Sequence, residues 1–243
     1  MELALVILIM FVAIFTQTFS GWGLALVAMP LLSLVIGLAP ARPLVALAAV
    51  SAQVAVLLRY RRAMHLQSVW QLLLGALIGI PIGVYGLIHI PEHVTMGVLG
   101  AVVLAYALYG LFRFRLPEVR HQSWGYLAGF LGGLLGGAYN TSGPPVVMYG
   151  HCREWPPARF KSNLAGFFFV SNSVIIVNHF VAGNVTTQTG RYFLYALPAM
   201  AAAAALAFFL DRYVSHELFR KIMLGLLVVL GLQLIVLKTI IGW

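Results

Sequence analysis

Apolar positions in this chain fall in long uncharged runs. They cover Leu3 to Ala41, Pro43 to Leu58, Val94 to Phe112, Gln122 to Gly150, Ser162 to Val177, Tyr192 to Leu210 and Ile222 to Leu237. Several approach the roughly 20 residues that a helix needs to cross the hydrocarbon core of a bilayer. Two of the runs are interrupted, one by FSGWG at 19–23 and the other by NTSGPP at 140–145. The second interruption sits in 29 residues, 122–150, that contain no Asp, Glu, Lys, Arg or His. Gly143 permits a tight reversal there, and Pro144 and Pro145 supply no backbone donor. The pattern predicts a re-entrant helical hairpin with NTSGPP at its tip. Backbone interrupted at that depth must line a protein-buried or watery cavity, because unpaired polar groups facing lipid cost several kcal/mol each.

The two interruptions are related. Gly23 stands seven residues before Pro30 and Gly137 seven before Pro144, and ARPLVALAA (41–49) parallels ARFKSNLAG (158–166). Each half then continues through further long apolar segments. The expectation is an all-α polytopic membrane protein of two repeats, residues 1–121 and 122–243. Each repeat holds a re-entrant or broken hairpin and three crossings, and because three is odd the second is inverted. Paired Gly/Pro-interrupted segments in inverted halves point to a secondary transporter with its site at the repeat interface.

Charge adds the orientation. Arg59, Arg61 and Arg62, then Arg113, Arg115 and Arg120, then Arg153, Arg159 and Lys161, then Arg212, Arg220 and Lys221 form four basic loops. The turns at 89–93 and 181–188 carry no Lys or Arg. If 122–150 crosses once, the Lys and Arg residues divide 8 to 7 between the two sides; if it re-enters, they divide 12 to 3, with Arg42, Arg191 and Lys238 outside. The second division is the positive-inside bias of membrane insertion. It predicts a multi-pass protein of the cell (inner) membrane with both termini outside. The same loops account for the net charge of +9 without nucleic acid.

Composition agrees: 62% of the 243 residues are hydrophobic and 9% charged, with mean hydropathy +0.97, far from a soluble domain. With Glu2 and no basic residue before the first apolar run, that run reads as a membrane segment rather than a cleaved signal. Cys152 is the single cysteine, so no intramolecular disulfide or thiolate metal site is expected.

The segments FSGWGLALVAMPLL, RYRRAMHLQSVWQLLLGALIGIPIG (59–83), GFLGGLLGGAYNTSGPPVVMYG and ARFKSNLAGFFFVSN together resemble the sulfite exporter TauE/SafE family of bacterial and archaeal permeases. The resemblance runs in order along nearly the whole chain. It implies a duplicated membrane fold and transport of a small anion, often sulfur-containing, such as sulfite or a sulfonate. This chain departs from a glycine-rich first hairpin, carrying Trp22 and Leu24 among its glycines.

An anion site inside a membrane is built from helix N-termini, with hydroxyl and amide side chains as further donors. The candidates are Ser20, Gly21, Trp22 and Gly23 from the first tip and Asn140, Thr141, Ser142 and Gly143 from the second. Gln17, Gln53, Asn163 and Asn172 follow as polar residues within apolar segments, where interhelical hydrogen bonding is the competing role. Arg42 and Arg159 hold equivalent places before the first crossing of each half; either can attract anions, and a topological role is favoured for Arg159. Glu2, Glu92, Glu118, Glu154, Asp211 and Glu217 all fall at segment ends or loops. No carboxylate relay or acidic cation site is therefore expected. His179 reads as structural, near the outer interface.

The function that follows is a permease working by alternating access, with no cofactor and no metal. Its partners are a small inorganic or organic anion and the bilayer, and nothing sets an oligomeric state. An anion channel is the alternative, and an intramembrane enzyme a weaker one. There is no HExxH pair, no buried pair of aspartates and no nucleophile with its base.

Overall fold

The computed structural model describes residues 1–60, 66–86, 90–112, 118–119, 121–210, 213 and 216–236. Arg61, Arg62, His89, Arg113, Arg115, Arg120, Asp211, Arg212 and Lys238 lie outside the described residues. Within them the chain is all helical and without strands. The order is α1 (Glu2–Ser20), α2 (Leu24–Ile36), α3 (Leu38–Tyr60), α4 (Leu66–Gly86), α5 (Glu92–Phe112), α6 (Trp124–Tyr139), α7 (Gly143–Cys152), α8 (Pro157–Val181), α9 (Thr187–Leu210) and α10 (His216–Ile235). Five described segments are long and apolar enough to cross a membrane, in α1, α4, α5, α8 and α9. Large apolar side chains such as Ile78, Phe112, Phe180, Leu194 and Phe209 are exposed on the outside, as a lipid-facing surface requires. The protein is a multi-pass membrane protein.

Both sequence interruptions are helix breaks. α1 ends on Gly21 in the left-handed conformation (φ 85°), and α2 starts from Gly23 at φ 107°, which only glycine adopts without strain. α6 ends on Asn140 at φ 55°, a conformation that asparagine tolerates better than most residues. The return helices are short: α2 has 13 residues and α7 has 10. At 1.5 Å per residue α7 rises about 15 Å, half of a roughly 30 Å hydrocarbon core. α1, with 19 residues, is longer than α6, with 16, so the first hairpin has the longer descending arm.

Packing pairs helices across the halves. α6 lies on α4 and α1 on α9; α3 packs on α8, α5 on α10, α8 on α4 and α3 on α9. Advancing every helix by five places exchanges α4–α6 with α1–α9 and α4–α8 with α3–α9, and carries α3–α8 and α5–α10 onto themselves.

The α4–α6 pair has an unusual contact. Gly75, Gly79 and Gly83 of α4 and Gly129, Gly133 and Gly137 of α6 recur every fourth residue. A Cβ added at any of the six would overlap backbone atoms of the opposite helix. The two backbones therefore touch over three turns, the close approach that small residues permit in membranes. In the α1–α9 pair, α9 instead buries Tyr192, Ala196, Met200, Ala203 and Ala207 along one stripe. At its end the Tyr192 hydroxyl donates to Glu2 and accepts from Gln188 Nε2 (2.8 Å).

Candidate functional site

The two tips meet at one cavity. It is lined by Gln17, Gly23, Leu24, Ala25 and Leu26 of the first hairpin, Asn140, Thr141 and Gly143 of the second, Ala49 and Gln53 of α3, and Phe168 and Asn172 of α8. Its volume is about 360 Å³, counted with its open mouth. No lining residue carries a charge among those described.

The first tip is stapled by its own side chains. Gln17 Oε1 accepts from the Leu24 amide (3.1 Å), and Gln17 Nε2 donates to Gly21 O (3.3 Å). Ser20 Oγ donates to Thr16 O (2.7 Å) and lies against Trp22 O. The helical ladder of α2 begins with Val27 N donating to Gly23 O (3.2 Å). The amides of Ala25 and Leu26 precede that bond, in the first turn where N–H groups have no intrahelical acceptor. Both residues line the cavity. The positive end of the α2 dipole thus opens onto the space.

The second tip is built differently. Pro144 and Pro145 occupy the first turn of α7, so two of its amide donors are missing, and Gly143 N–H remains. Asn140 Nδ2 donates to Arg42 O of α3 (2.6 Å), and Thr141 Oγ1 donates to Tyr139 O (3.0 Å). Asn140 Oδ1 and Gln53 Oε1 are buried with no hydrogen-bond partner among the described residues. Ser142 Oγ is likewise unpartnered and lies where a Gly136 side chain would be. Buried groups of this kind cost on the order of 1 to 3 kcal/mol each unless another partner arrives.

Of the sequence candidates, Gln17, Gly23, Gln53, Asn140, Thr141, Gly143 and Asn172 come together on the cavity. Ser20, Gly21, Trp22, Ser142 and Asn163 stand outside this lining. Trp22 makes an edge contact with Tyr106 of α5 (centroids 5.1 Å apart), and Asn163 is fully buried in α8. Leu24, Ala25, Leu26, Ala49 and Phe168 were not candidates. Ala25 and Leu26 offer backbone rather than side chain, so their signal lies only in their position one and two residues after a helix start at Gly23–Leu24. Arg42 stands beside the second tip, its backbone carbonyl accepting from Asn140 Nδ2. Lys161 of α8 reaches the first tip, its Cγ 3.7 Å from where a Gly21 Cβ would stand. His179 is buried, with Nδ1 3.1 Å from Asn184 Nδ2.

Comparison with curated proteins and with solved structures found no match. A protein-family model does match, that of the sulfite exporter TauE/SafE, over residues 6–234. The match covers both hairpins, the cavity and all ten helices but for their outermost ends, and the chain belongs to the sulfite exporter TauE/SafE family of membrane transporters.

Proposed function

We propose that this protein is a permease that moves sulfite or a related small sulfur-containing anion by alternating access, binding it in the cavity between the two hairpin tips. One observation carries the reading: both helix breaks, far apart in sequence, contribute to one uncharged cavity that opens onto the N-terminus of α2. A small anion suits free amides and a positive dipole end. The repeats are residues 1–121 and 122–243, and the five-place symmetry of the helix pairing supports them. With one returning hairpin and three crossings in each, they are inverted, the termini are outside, and the cell (inner) membrane is the location. Two halves that can rock about a shared central site favour a carrier over an open pore.

The test is flux in proteoliposomes. Sulfite entry should saturate and should speed up when unlabelled sulfite is present on the far side, as a carrier requires. Non-saturating flux without that exchange would replace the carrier with a channel, and absence of any anion flux would remove the reading. Cys152, the single cysteine, reports the orientation. An impermeant maleimide should label it in inside-out vesicles and not in intact cells.

A further inference from the structure

We infer that the cavity selects a singly charged oxyanion that carries its own hydrogen-bond donor, a hydrogen-oxyanion such as hydrogensulfite in preference to the dianion. The inference rests on the permease reading above and narrows its substrate. Two independent observations carry it.

The first is charge. The described lining contains only apolar groups, backbone and neutral amide or hydroxyl side chains. Arg42 and Lys161 stand beside the tips but outside that lining. The desolvation cost of an ion grows with the square of its charge, so a dianion costs about four times as much as a monoanion to bring into the same poorly polar space. The favourable partner is a helix start, equivalent to roughly half a positive charge. Such a site matches one negative charge.

The second is the balance of donors and acceptors. Asn140 is 6% exposed, and its Nδ2 is held by Arg42 O, so its carboxamide cannot turn over; its Oδ1 is left as a buried acceptor without a partner among the described residues. Gln53, 2% exposed, adds a second carboxamide to the same lining, its Oε1 without a partner among the described residues. Thr141 gives its proton to Tyr139 O and keeps only lone pairs to offer. A fully deprotonated oxyanion has lone pairs alone and would set oxygen against oxygen at Asn140 Oδ1 and Thr141 Oγ1, where the donors nearby are limited to Gly143 N–H and the carboxamide N–H groups of Gln53 and Asn172. A ligand bearing O–H donates to this wall while its anionic oxygens meet the Ala25 and Leu26 amides opposite in kind.

The experiment uses the purified full chain and three probes. Sulfite is titrated at one pH below and one above its own second ionisation; methanesulfonate is a permanent monoanion without a donor; hydroxymethanesulfonate adds a single O–H to it. Sulfite affinity should fall with rising pH in proportion to the hydrogensulfite fraction, while methanesulfonate affinity holds steady. The titratable and charged groups around Asn140 are Arg42, Tyr139 and His179, with Lys161 at the other tip. If any of these sets the pH dependence, methanesulfonate will follow the same curve, and the inference is overturned. Hydroxymethanesulfonate should bind about tenfold more tightly than methanesulfonate, the value of a hydrogen bond to an otherwise unsatisfied buried acceptor. Gln53→Met, close in volume but without the carbonyl, should reduce that ratio. Equal affinities for the two sulfonates, or sulfite binding that strengthens with pH, overturn the inference and leave the permease reading intact. Absence of binding by any of the three at either pH overturns the permease reading as well.

Discussion

At the first tip Gln17 and Ser20 turn their polar atoms back onto the hairpin's own backbone, whereas at the second Asn140 Oδ1 and Ser142 Oγ have no hydrogen-bond partner among the described residues. The backbones show the reverse. The first tip leaves amides of Ala25 and Leu26 outside the helical ladder, and the second has prolines at the corresponding turn. One tip therefore offers main-chain donors, and the other offers a fixed side-chain acceptor at Asn140 beside the single remaining Gly143 N–H. Two hairpins of similar outline can supply complementary chemistry because a helix break exposes backbone or covers it according to which residues follow the break. The supports differ too: the second hairpin is held through glycines against α4, the first through larger side chains against α9.

The largest effect should come from attacking the second hairpin's support. Gly133→Leu drives a side chain into the backbone at Ala76 and should destabilise the protein by about 3 kcal/mol or more. It should show as a large fall in melting temperature or as loss of folded protein. A melting temperature equal to the unsubstituted protein's would mean that the helices are not in backbone contact. Next is Asn140→Ala, which removes the tie to Arg42 O and the residue that tolerates φ 55°. A loss of about 1 to 3 kcal/mol is expected, with a lower melting temperature and weaker sulfite binding together.

Ala25→Pro sharpens the comparison by giving the first tip the second's backbone chemistry. Proline is accepted in the first helical turn and deletes one amide. Sulfite affinity should drop about tenfold, since hydrogen bonds to charged groups contribute roughly 1.5 to 3 kcal/mol, while melting temperature changes little. Unchanged affinity would take the α2 amides out of the site. Ser142→Ala should have the smallest effect. Its hydroxyl is buried, without a partner among the described residues, and off the cavity lining, so removing it should leave sulfite affinity alone and hold or slightly raise the melting temperature. A tenfold loss of affinity would put Ser142 back among the ligand's contacts.

Much of the architecture was legible because membranes make sequence simple. Breaks at FSGWG and NTSGPP fall where α1 passes into α2 and α6 into α7, since irregular backbone at depth needs glycine, asparagine or proline to form. Seven of the twelve candidate side chains or glycines line the cavity for the same reason: a polar residue in an apolar run has few other places to go. Ser20 and Trp22 show the limit. A hydroxyl near a helix end bonds its own backbone as readily as a ligand, and a tryptophan packs wherever a neighbouring helix offers an edge, here Tyr106. The α4–α6 contact was not legible, because glycine spacing marks a close approach without saying which helix approaches. Ala25, Leu26 and Phe168 escaped because their contribution is main chain or shape.

The glycine contact also sets what can move. Side chains interlocked between two helices can change rotamer and let the helices slide, but backbones in direct contact have no such freedom. α4 and α6 are therefore expected to move together, with the second tip at the end of α6. If the protein works by alternating access as proposed, a tilt of α4 should carry α6 with it and displace Asn140 and Thr141 at the cavity.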